Sequence, residues 1–145
     1  MTELPFKRLD PDASLPEHAH PGDAGLDLRS VMHVEVKPGE RAMVRTGLAV
    51  AIPDGHAGLV LPRSGLASTY GLTLSNAPGL IDAGYRGEVV CAVVNLDREQ
   101  PVSIAKGDRI AQLVIVAVPE VRPTWVEELP GSTRGEGGFG STGRS

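Results

Sequence analysis

The C-terminal end of the chain carries groups suited to gripping a phosphorylated, ring-bearing ligand. Half of the ten residues from Arg134 to Gly143 are glycine, and the rest are one arginine, one glutamate, one phenylalanine and two hydroxyl residues. An arginine fork, hydroxyl groups and free backbone N–H groups bind phosphate oxygens, while an aromatic ring can stack on a base. Because such a segment cannot bury a core, we expect residues 130–145 to be a flexible arm on a domain of residues 1–129. A generic Gly/Ser-rich terminus is more often a disordered tail.

Two segments place carboxylates in turns that are rich in small residues. Asp23 fits a turn, whereas Asp27 stands between two leucines, which predicts a polar side chain on a short strand. Either carboxylate could hold a hydrated metal ion, although a solvent-facing aspartate is commoner. Asp82 separates Ile81 from a Gly-containing turn. A carboxylate there could act as the general base for a water molecule, with an Asx turn as the structural alternative.

Two other segments offer partners for phosphate. Arg63, Ser64 and Gly65 follow a predicted strand and open the one predicted helix. Ser64 as N-cap beside Arg63 would form an anion site, although many serine caps bind nothing. Gln112 is the only polar residue from Ile110 to Val118. A buried amide needs partners, and these could be backbone groups or a ligand phosphate.

Composition favours one domain whose core is built from aliphatic residues. The chain has 145 residues, 41% of them hydrophobic, and a net charge of −4, which argues against a basic face for a nucleic-acid polymer. The single Cys91 lies in an apolar run, so we expect a buried thiol and no internal disulfide. We identify no signal peptide and no apolar run of the roughly 18 residues that span a membrane, so we expect a cytoplasmic protein.

The elements that must position these groups are mostly strands. Eighteen glycines and twelve prolines divide the chain into short segments with β-branched residues and period-two alternation. This pattern predicts an all-β, jelly-roll-like sandwich or barrel with one short helix near 64–70. The predicted strands are Phe6–Leu9, His33–Val36, Val44–Ile52, Ala57–Leu61, Leu72–Leu74, Val89–Leu96, Val102–Ile104, Ile110–Val118 and Thr124–Leu129.

Two of these strands also indicate an assembly of several copies. Val89–Leu96 and Ile110–Val118 are nearly continuous apolar runs, which is typical of strands covered on both faces. A second copy of the chain would supply the extra cover and make the protein a homo-oligomer. The alternative is a central core strand inside one sandwich.

In this order, five segments resemble the five motifs of the trimeric dUTP diphosphatases, or dUTPases. They are Ala24–Leu28, Pro62–Ala67, Gly79–Gly87, Gly107–Gln112 and Arg134–Gly143. The resemblance spans nearly the whole chain. It implies a jelly-roll homotrimer that hydrolyses dUTP to dUMP and diphosphate with Mg²⁺, by water attack at the α-phosphorus. Such an activity limits uracil in DNA and supplies dUMP for dTMP synthesis.

The resemblance also implies that each active site is built from residues of three subunits. In one subunit a hairpin over 76–90 reads the uracil edge with Asn76 and with backbone groups, and Tyr85 packs under the deoxyribose and excludes a 2′-hydroxyl. Asp82 of that hairpin orients and deprotonates the water. The other implied nucleoside contacts are those at Leu80, Ile81 and Val90. At position 90 many relatives carry a longer side chain than valine.

The remaining implied contacts come from the other two subunits. A neighbour holds the phosphates with Arg63, Ser64, Gly65 and Gln112, and Asp27 assists Mg²⁺ through water. The third subunit sends its arm over the site. The arm residues with implied substrate contacts are Arg134, Phe139, Gly140, Ser141 and Thr142, of which Phe139 stacks on uracil.

Three other functions compete with this interpretation. A dCTP deaminase of similar fold would need a catalytic glutamate, and Glu88, the only nearby one, does not match a deaminase pattern. A non-catalytic jelly-roll trimer would tolerate loss of Asp82 and of the arm. A nucleic-acid-binding β-barrel would need a basic face lined with aromatic residues, which the acidic balance and the 3% aromatic content oppose.

Overall fold

The computed structural model describes residues 2–145 and confirms the prediction of an all-β fold with one short helix. Each predicted strand up to residue 118 is present within a few residues of its predicted bounds. The one helix of the described chain is α1 (Ser64–Tyr70). The strands are β1 (Phe6–Arg8), β2 (Leu26–Arg29), β3 (Val34–Val36), β4 (Arg41–Val50), β5 (His56–Leu61), β6 (Leu72–Leu74), β7 (Gly79–Ile81), β8 (Glu88–Asn95), β9 (Val102–Ile104) and β10 (Arg109–Ala117).

The strands form a jelly-roll-like sandwich around an aliphatic core. One four-stranded sheet has the order β1-β4-β8-β6, a second has the order β2-β10-β5-β7, and β3 pairs with β9. All of the pairings between named strands are antiparallel. Leu28, Val44, Val93 and Leu113 are fully buried between the layers. Cys91 is also fully buried, as predicted, and burial raises the pKa of its thiol from 9.0 to about 12.

Within one chain, the outward face of β8 is not fully covered. Its residues alternate strictly between buried and half-buried, and Val90, Ala92 and Val94 are the half-buried apolar residues on the outward side. Alternation places these three side chains on one face, opposite Val93 and the core. Within one chain, β8 is therefore fully covered on its inner face only, and the homo-oligomer stays a prediction.

The prediction of a strand over Thr124–Leu129 is wrong. No strand is formed from residue 118 to 145, and only Gly137 and Gly138 in that range are even half-buried. Trp125 and Leu129 are among its most exposed apolar side chains. An alternating pattern favours extended backbone, but a strand also needs a free sheet edge as partner, and here the chain leaves the sandwich.

Helix α1 forms over the predicted residues but begins differently. Arg63, in extended backbone conformation, occupies the N-cap position, and its side chain makes no capping hydrogen bond. The prediction of Ser64 as N-cap is therefore wrong. At the other end, Gly71 has a φ of 71° and its N–H bonds to the Ala67 carbonyl, which ends the helix. No helix among residues 2–145 is long and apolar enough to cross a membrane.

Candidate active site

Sheet register brings together residues from three distant segments. On β10, Gln112 is paired with Asp27 of β2 on one side and with Leu61 of β5 on the other. Side chains of directly paired residues share a face of the sheet, so Asp27 and Gln112 are neighbours on that face. Arg63 follows two residues after Leu61 and completes the group. The first, second and fourth motif segments therefore meet at one end of β5.

Asp27 lies between two arginines in this group. Its Oδ1 is 3.5 Å from Arg63 Nε, and its Oδ2 is 3.4 Å from Arg109 Nη1. The Asp27 side chain is only 14% exposed, so water screens these ion pairs less than pairs at the open surface. The carboxylate holds both guanidinium groups close together, which leaves their remaining N–H groups available for an anion.

Gln112 is held from two sides. Its Nε2 donates a hydrogen bond to the carbonyl oxygen of Pro62 at 3.1 Å, so the backbone provides the partner that a half-buried amide needs. Its Oε1 lies so close to Gly25 that a Cβ at position 25 would be 2.3 Å away. A side chain at position 25 would therefore force the amide of Gln112 to shift from its present position at the end of β5.

These residues line a cavity of about 400 Å³. Ser64 and Gly65 at the start of α1 are exposed and border the same cavity as Asp27, Arg63 and Gln112. Guanidinium, hydroxyl, amide and backbone N–H groups are all donors to phosphate oxygens. The arrangement is suited to binding an anion of several phosphate groups.

The described residues fit a metal ion that arrives with its ligand rather than one held by the chain alone. No cluster of three or more His, Cys, Asp or Glu side chains that could hold a metal occurs among residues 2–145. Asp23 accepts hydrogen bonds from the backbone N–H of His20 at 2.9 Å and from its ring, which fits a turn residue. Asp27 offers carboxylate oxygens beside the cavity of about 400 Å³, which is called the phosphate-sized cavity below, but these oxygens already face two arginines. Mg²⁺ commonly keeps several waters and binds through substrate phosphates and one or two carboxylates, which agrees with this donor set.

A second cavity, of about 350 Å³, lies at the hairpin that was predicted to hold the nucleoside. Ile81 points into the core with 8% exposure, whereas Leu80 is 65% exposed. Val90 is half-buried on β8. The residues lining this cavity include Met43, Val60, Leu74, Asn76, Leu80, Ile81, Tyr85, Glu88 and Val90. Its mixture of aliphatic walls and a few polar groups suits a small ring with polar edges.

The turn that carries Asp82 and Tyr85 is braced by its own hydrogen bonds. Tyr85 N–H donates to the Asp82 carbonyl at 3.1 Å, and the Tyr85 hydroxyl donates to the Glu88 carbonyl at 2.9 Å. Arg86 Nη1 donates to the Ala83 carbonyl at 2.6 Å. The Asp82 side chain is exposed at the start of this turn. A carboxylate in open contact with solvent, on a braced turn, can receive a proton from a water molecule.

Glu88, the candidate acid of a deaminase, has a structural role instead. Its Oε1 pairs with Arg45 Nε at 3.1 Å, and its Oε2 accepts the Gly47 N–H at 2.9 Å. Gly47 lies in the irregular part of β4, where the register with β8 shifts, and has a φ of 68°. Both oxygens of Glu88 therefore stabilise this β-bulge, which opposes a catalytic role.

Asp82 and the phosphate-sized cavity lie at opposite ends of β5. Ile81 is paired with Gly58, so Asp82 lies beside Ala57 at the start of the strand, whereas Arg63 follows its end. At about 3.3 Å per residue, the backbone from Ala57 to Arg63 spans about 20 Å. A single chain therefore cannot place the Asp82 carboxylate and the Arg63 guanidinium on the same phosphate group.

The C-terminal arm forms a third, separate group. Arg134 Nε donates to the Gly137 carbonyl at 2.6 Å, and Ser141 N–H donates to the Gly138 carbonyl at 3.0 Å, so its bonds are local turns. Phe139 is fully exposed. Within residues 2–145, no hydrogen bond or ion pair joins the segment beyond Val118 to the sandwich. The predicted residues Gly140 and Thr142 are exposed in the same turns.

Several contacts that shape the site were not predicted from the sequence. They are the pairing of Arg109 with Asp27, the contact of Gly25 with Gln112 and the engagement of Glu88 by Arg45. The sequence did contain one indication that Arg109 belongs to the site, because Arg109 stands three residues before Gln112 in the same motif segment. The other two contacts depend on cross-strand register, for which the sequence carries no local signal.

Comparison with known proteins assigns the chain to a family. The family model described as dUTPase matches residues 11–143. A relative from Thermobifida fusca, named deoxyuridine 5'-triphosphate nucleotidohydrolase, is 58% identical over 138 residues, which are 95% of this chain and 77% of the relative. A relative of the same name from Mycolicibacterium gilvum is 55% identical over 147 residues, covering 98% of this chain and 96% of the relative.

Solved structures agree with this assignment. A mutant dUTPase of Staphylococcus bacteriophage 80alpha, solved with dUpNHpp, superposes with a TM-score of 0.91 at 34% identity and covers 99% of this chain and 100% of that one. A mutant dUTPase of phage phi11, described for its coordination of a structural Mg(II) ion, has a TM-score of 0.83 at 32% identity, over 90% of this chain and 100% of that one. The class of protein is thus a nucleotidohydrolase with a β-sandwich fold. Within that class, the chain belongs to the dUTPase family.

Proposed function

We propose that this protein hydrolyses dUTP to dUMP and diphosphate in sites shared between the subunits of a homotrimer. Membership of the dUTPase family supports the reaction. The pairing of β7 with β5 places Asp82 near the start of β5 and Arg63 after its end, about 20 Å apart in extended backbone. This placement supports the sharing, because both groups are needed at one triphosphate. A homotrimer would place the hairpin of one subunit against the phosphate-sized cavity of the next. The half-buried outward face of β8 offers apolar surface for such contacts.

In the proposed reaction, the hairpin cavity holds the nucleoside. Asn76 and the backbone at Leu80, Ile81 and Val90 bind the uracil edge, and Tyr85 packs against the deoxyribose. Asp82 positions a water molecule and accepts its proton. The water oxygen forms a bond to the α-phosphorus, and the bond from that phosphorus to the oxygen shared with the β-phosphate breaks. Diphosphate leaves with the bridging oxygen, and dUMP remains in the hairpin.

The phosphate groups are held by the neighbouring subunit. Arg63 and the amide of Gln112 bind phosphate oxygens, with Ser64 and Gly65 at the start of α1. Mg²⁺ bound to the triphosphate would neutralise part of its charge and polarise the phosphoryl oxygens. Asp27 would contact that ion through water while it keeps Arg63 in place.

The arm of the third subunit closes the site. Phe139 stacks on uracil, and Arg134, Ser141 and Thr142 bind the terminal phosphates, with the backbone of Gly140 beside them. Closure excludes bulk water from the reacting phosphate and completes the set of donors. In the cell, such an activity would limit uracil in DNA and supply dUMP for dTMP synthesis.

The test of this proposal is a substrate screen. The protein is mixed with Mg²⁺ and, separately, with dUTP, dCTP, dTTP, dATP and dGTP, and both diphosphate and ammonia are measured. We expect diphosphate from dUTP alone, with loss of activity when EDTA is added. Ammonia from dCTP would instead indicate a deaminase, and no product from any nucleotide would indicate a non-catalytic trimer.

Sharing of sites has its own test. Inactive Asp82→Asn subunits are mixed with inactive Arg63→Ala subunits under conditions that exchange subunits. Shared sites predict that activity returns, because some sites then combine an intact Asp82 with an intact Arg63. If the mixture stays as inactive as its components, each site belongs to one chain.

A further inference from the structure

Gly87 lies directly against the ring of Tyr85. A Cβ built at position 87 would be 2.4 Å from the Tyr85 hydroxyl oxygen, 2.6 Å from Cζ and 3.0 Å from Cε2. Real Cβ atoms essentially never approach other heavy atoms so closely, so the phenol occupies the space that any other residue at 87 would fill. The hydroxyl is also tied to the Glu88 carbonyl at 2.9 Å, which fixes the ring in this position.

The ring stands between Gly87 and the nucleoside cavity. Tyr85, Glu88, Val89 and Val90 all line that cavity, whereas Gly87 does not. A side chain at position 87 would therefore push the Tyr85 phenol away from the backbone of Gly87 and toward the nucleoside cavity. The ring is 47% exposed, so it can move without disturbing the core.

We infer that Gly87 is a positioning residue that sets the depth of the sugar space by giving the Tyr85 ring room to lie against the backbone. This inference rests on the proposed function, because the sugar space is the one that deoxyuridine would occupy. Gly87 contacts no ligand itself and acts through the ring. The turn does not need glycine for its backbone conformation, since Gly87 has no positive φ.

The matched control is Gly84, in the same turn. Gly84 also has no positive φ, and a Cβ there would meet no atom within 4 Å. Gly87→Ala and Gly84→Ala thus add the same methyl group to the same turn, once against the ring and once into open space. The two variants separate displacement of Tyr85 from the general loss of a glycine.

The experiment measures kcat and KM for dUTP, and the Kd for dUMP by calorimetry, for the parent and both variants. We expect Gly87→Ala to raise KM and Kd about tenfold with kcat changed less than about threefold, because Asp82 stays in place. We expect Gly84→Ala to stay within about twofold of the parent in all three. A parental KM and Kd in Gly87→Ala would overturn the inference.

A double-mutant cycle shows whether the effect passes through the ring. In a Tyr85→Ala background the added Gly87→Ala change should alter the dUMP Kd by less than about twofold, because no ring is left to displace. An equal loss in both backgrounds would overturn the inference. A parent that binds dUMP but releases no diphosphate from dUTP contradicts the proposed reaction only, and a parent that binds no uracil nucleotide contradicts both.

Discussion

The sheet β2-β10-β5-β7 and the C-terminal segment, residues 119–145, hold their chemical groups in opposite ways. In the sheet, Gln112 bonds to Pro62 and Asp27 pairs with Arg63 and Arg109, so each contact joins residues far apart in the chain. In the C-terminal segment every backbone hydrogen bond from Arg134 onward joins residues three apart. The sheet fixes its groups when the protein folds, whereas the segment has fixed only its local turns.

Under the proposed function, this difference corresponds to a rigid receptor and a closing part. Asp27, Arg109 and Gln112 lie on strands, where packing limits their movement. In the proposed function, the arm lets the ligand in and then covers it, and because the segment has no core contacts, opening would cost little free energy. Each prediction below tests one side of this comparison.

The largest effect is expected at Asp82. Asp82→Asn keeps the turn and the nucleotide-binding groups but removes the proton acceptor, so kcat for dUTP should fall by about 10²–10⁴-fold with dUMP affinity retained. Glu99→Gln, which neutralises an exposed carboxylate in the loop before β9, serves as control and should keep full turnover. Near-normal turnover in Asp82→Asn would remove Asp82 from the mechanism.

The next largest contrast is in thiol reactivity between the C-terminal segment and the sandwich core, where Cys91 lies on β8 of the other sheet. Burial raises the pKa of Cys91 from 9.0 to about 12, so its reactive thiolate at pH 8 is about 10³-fold scarcer than that of an ordinary thiol. Alkylation by iodoacetamide at pH 8 should therefore be about 10³-fold slower for Cys91 than for Thr133→Cys in a Cys91→Ala background. Mass spectrometry over time measures both rates. Rates within tenfold of each other would show that the sandwich opens as readily as the segment.

Removal of the arm should separate activity from stability. Truncation after Thr133 deletes no buried side chain, so the melting temperature should change by less than about 2 °C. Turnover of dUTP should fall by about 10²-fold, because the site can no longer close, and uracil nucleotides should bind weakly. Full turnover by the truncated protein would make the arm a simple tail.

The smallest effect is expected on the free energy of unfolding when one methyl group is added in each region. Gly25→Ala places a Cβ 2.3 Å from Gln112 Oε1, and this overpacking should lower the free energy of unfolding by about 1–3 kcal/mol. Gly131→Ala adds a methyl group with no atom within 4 Å and should change it by less than about 0.5 kcal/mol. Urea denaturation of both variants provides the values. Equal stabilities would mean that Gln112 is free to move.

Much of the fold was predictable because local sequence patterns determine where strands and helices form. Alternation and turn residues located eight of the ten strands that the structure describes, and the helix was predicted near the residues that form α1. β2 was expected only as a short strand at Asp27, and β7 was not predicted as a separate strand. The strand over 124–129 was predicted wrongly for the same reason, since a local pattern cannot show whether a sheet edge is available. The order of strands within each sheet was not predicted, because pairing joins residues that are distant in the chain.

By itself, the sequence determined the element types, the buried Cys91 and the residues that could do chemistry, because these depend on composition and near neighbours. Only the tertiary structure decided which of those residues meet. Register on both sides of β10 joined Asp27, Gln112 and Arg63 into one cavity, and pairing of β7 with β5 placed Asp82 about 20 Å away from it. The physical reason is that cross-strand hydrogen bonds and core packing act between distant segments, so the position of each group depends on the whole sheet.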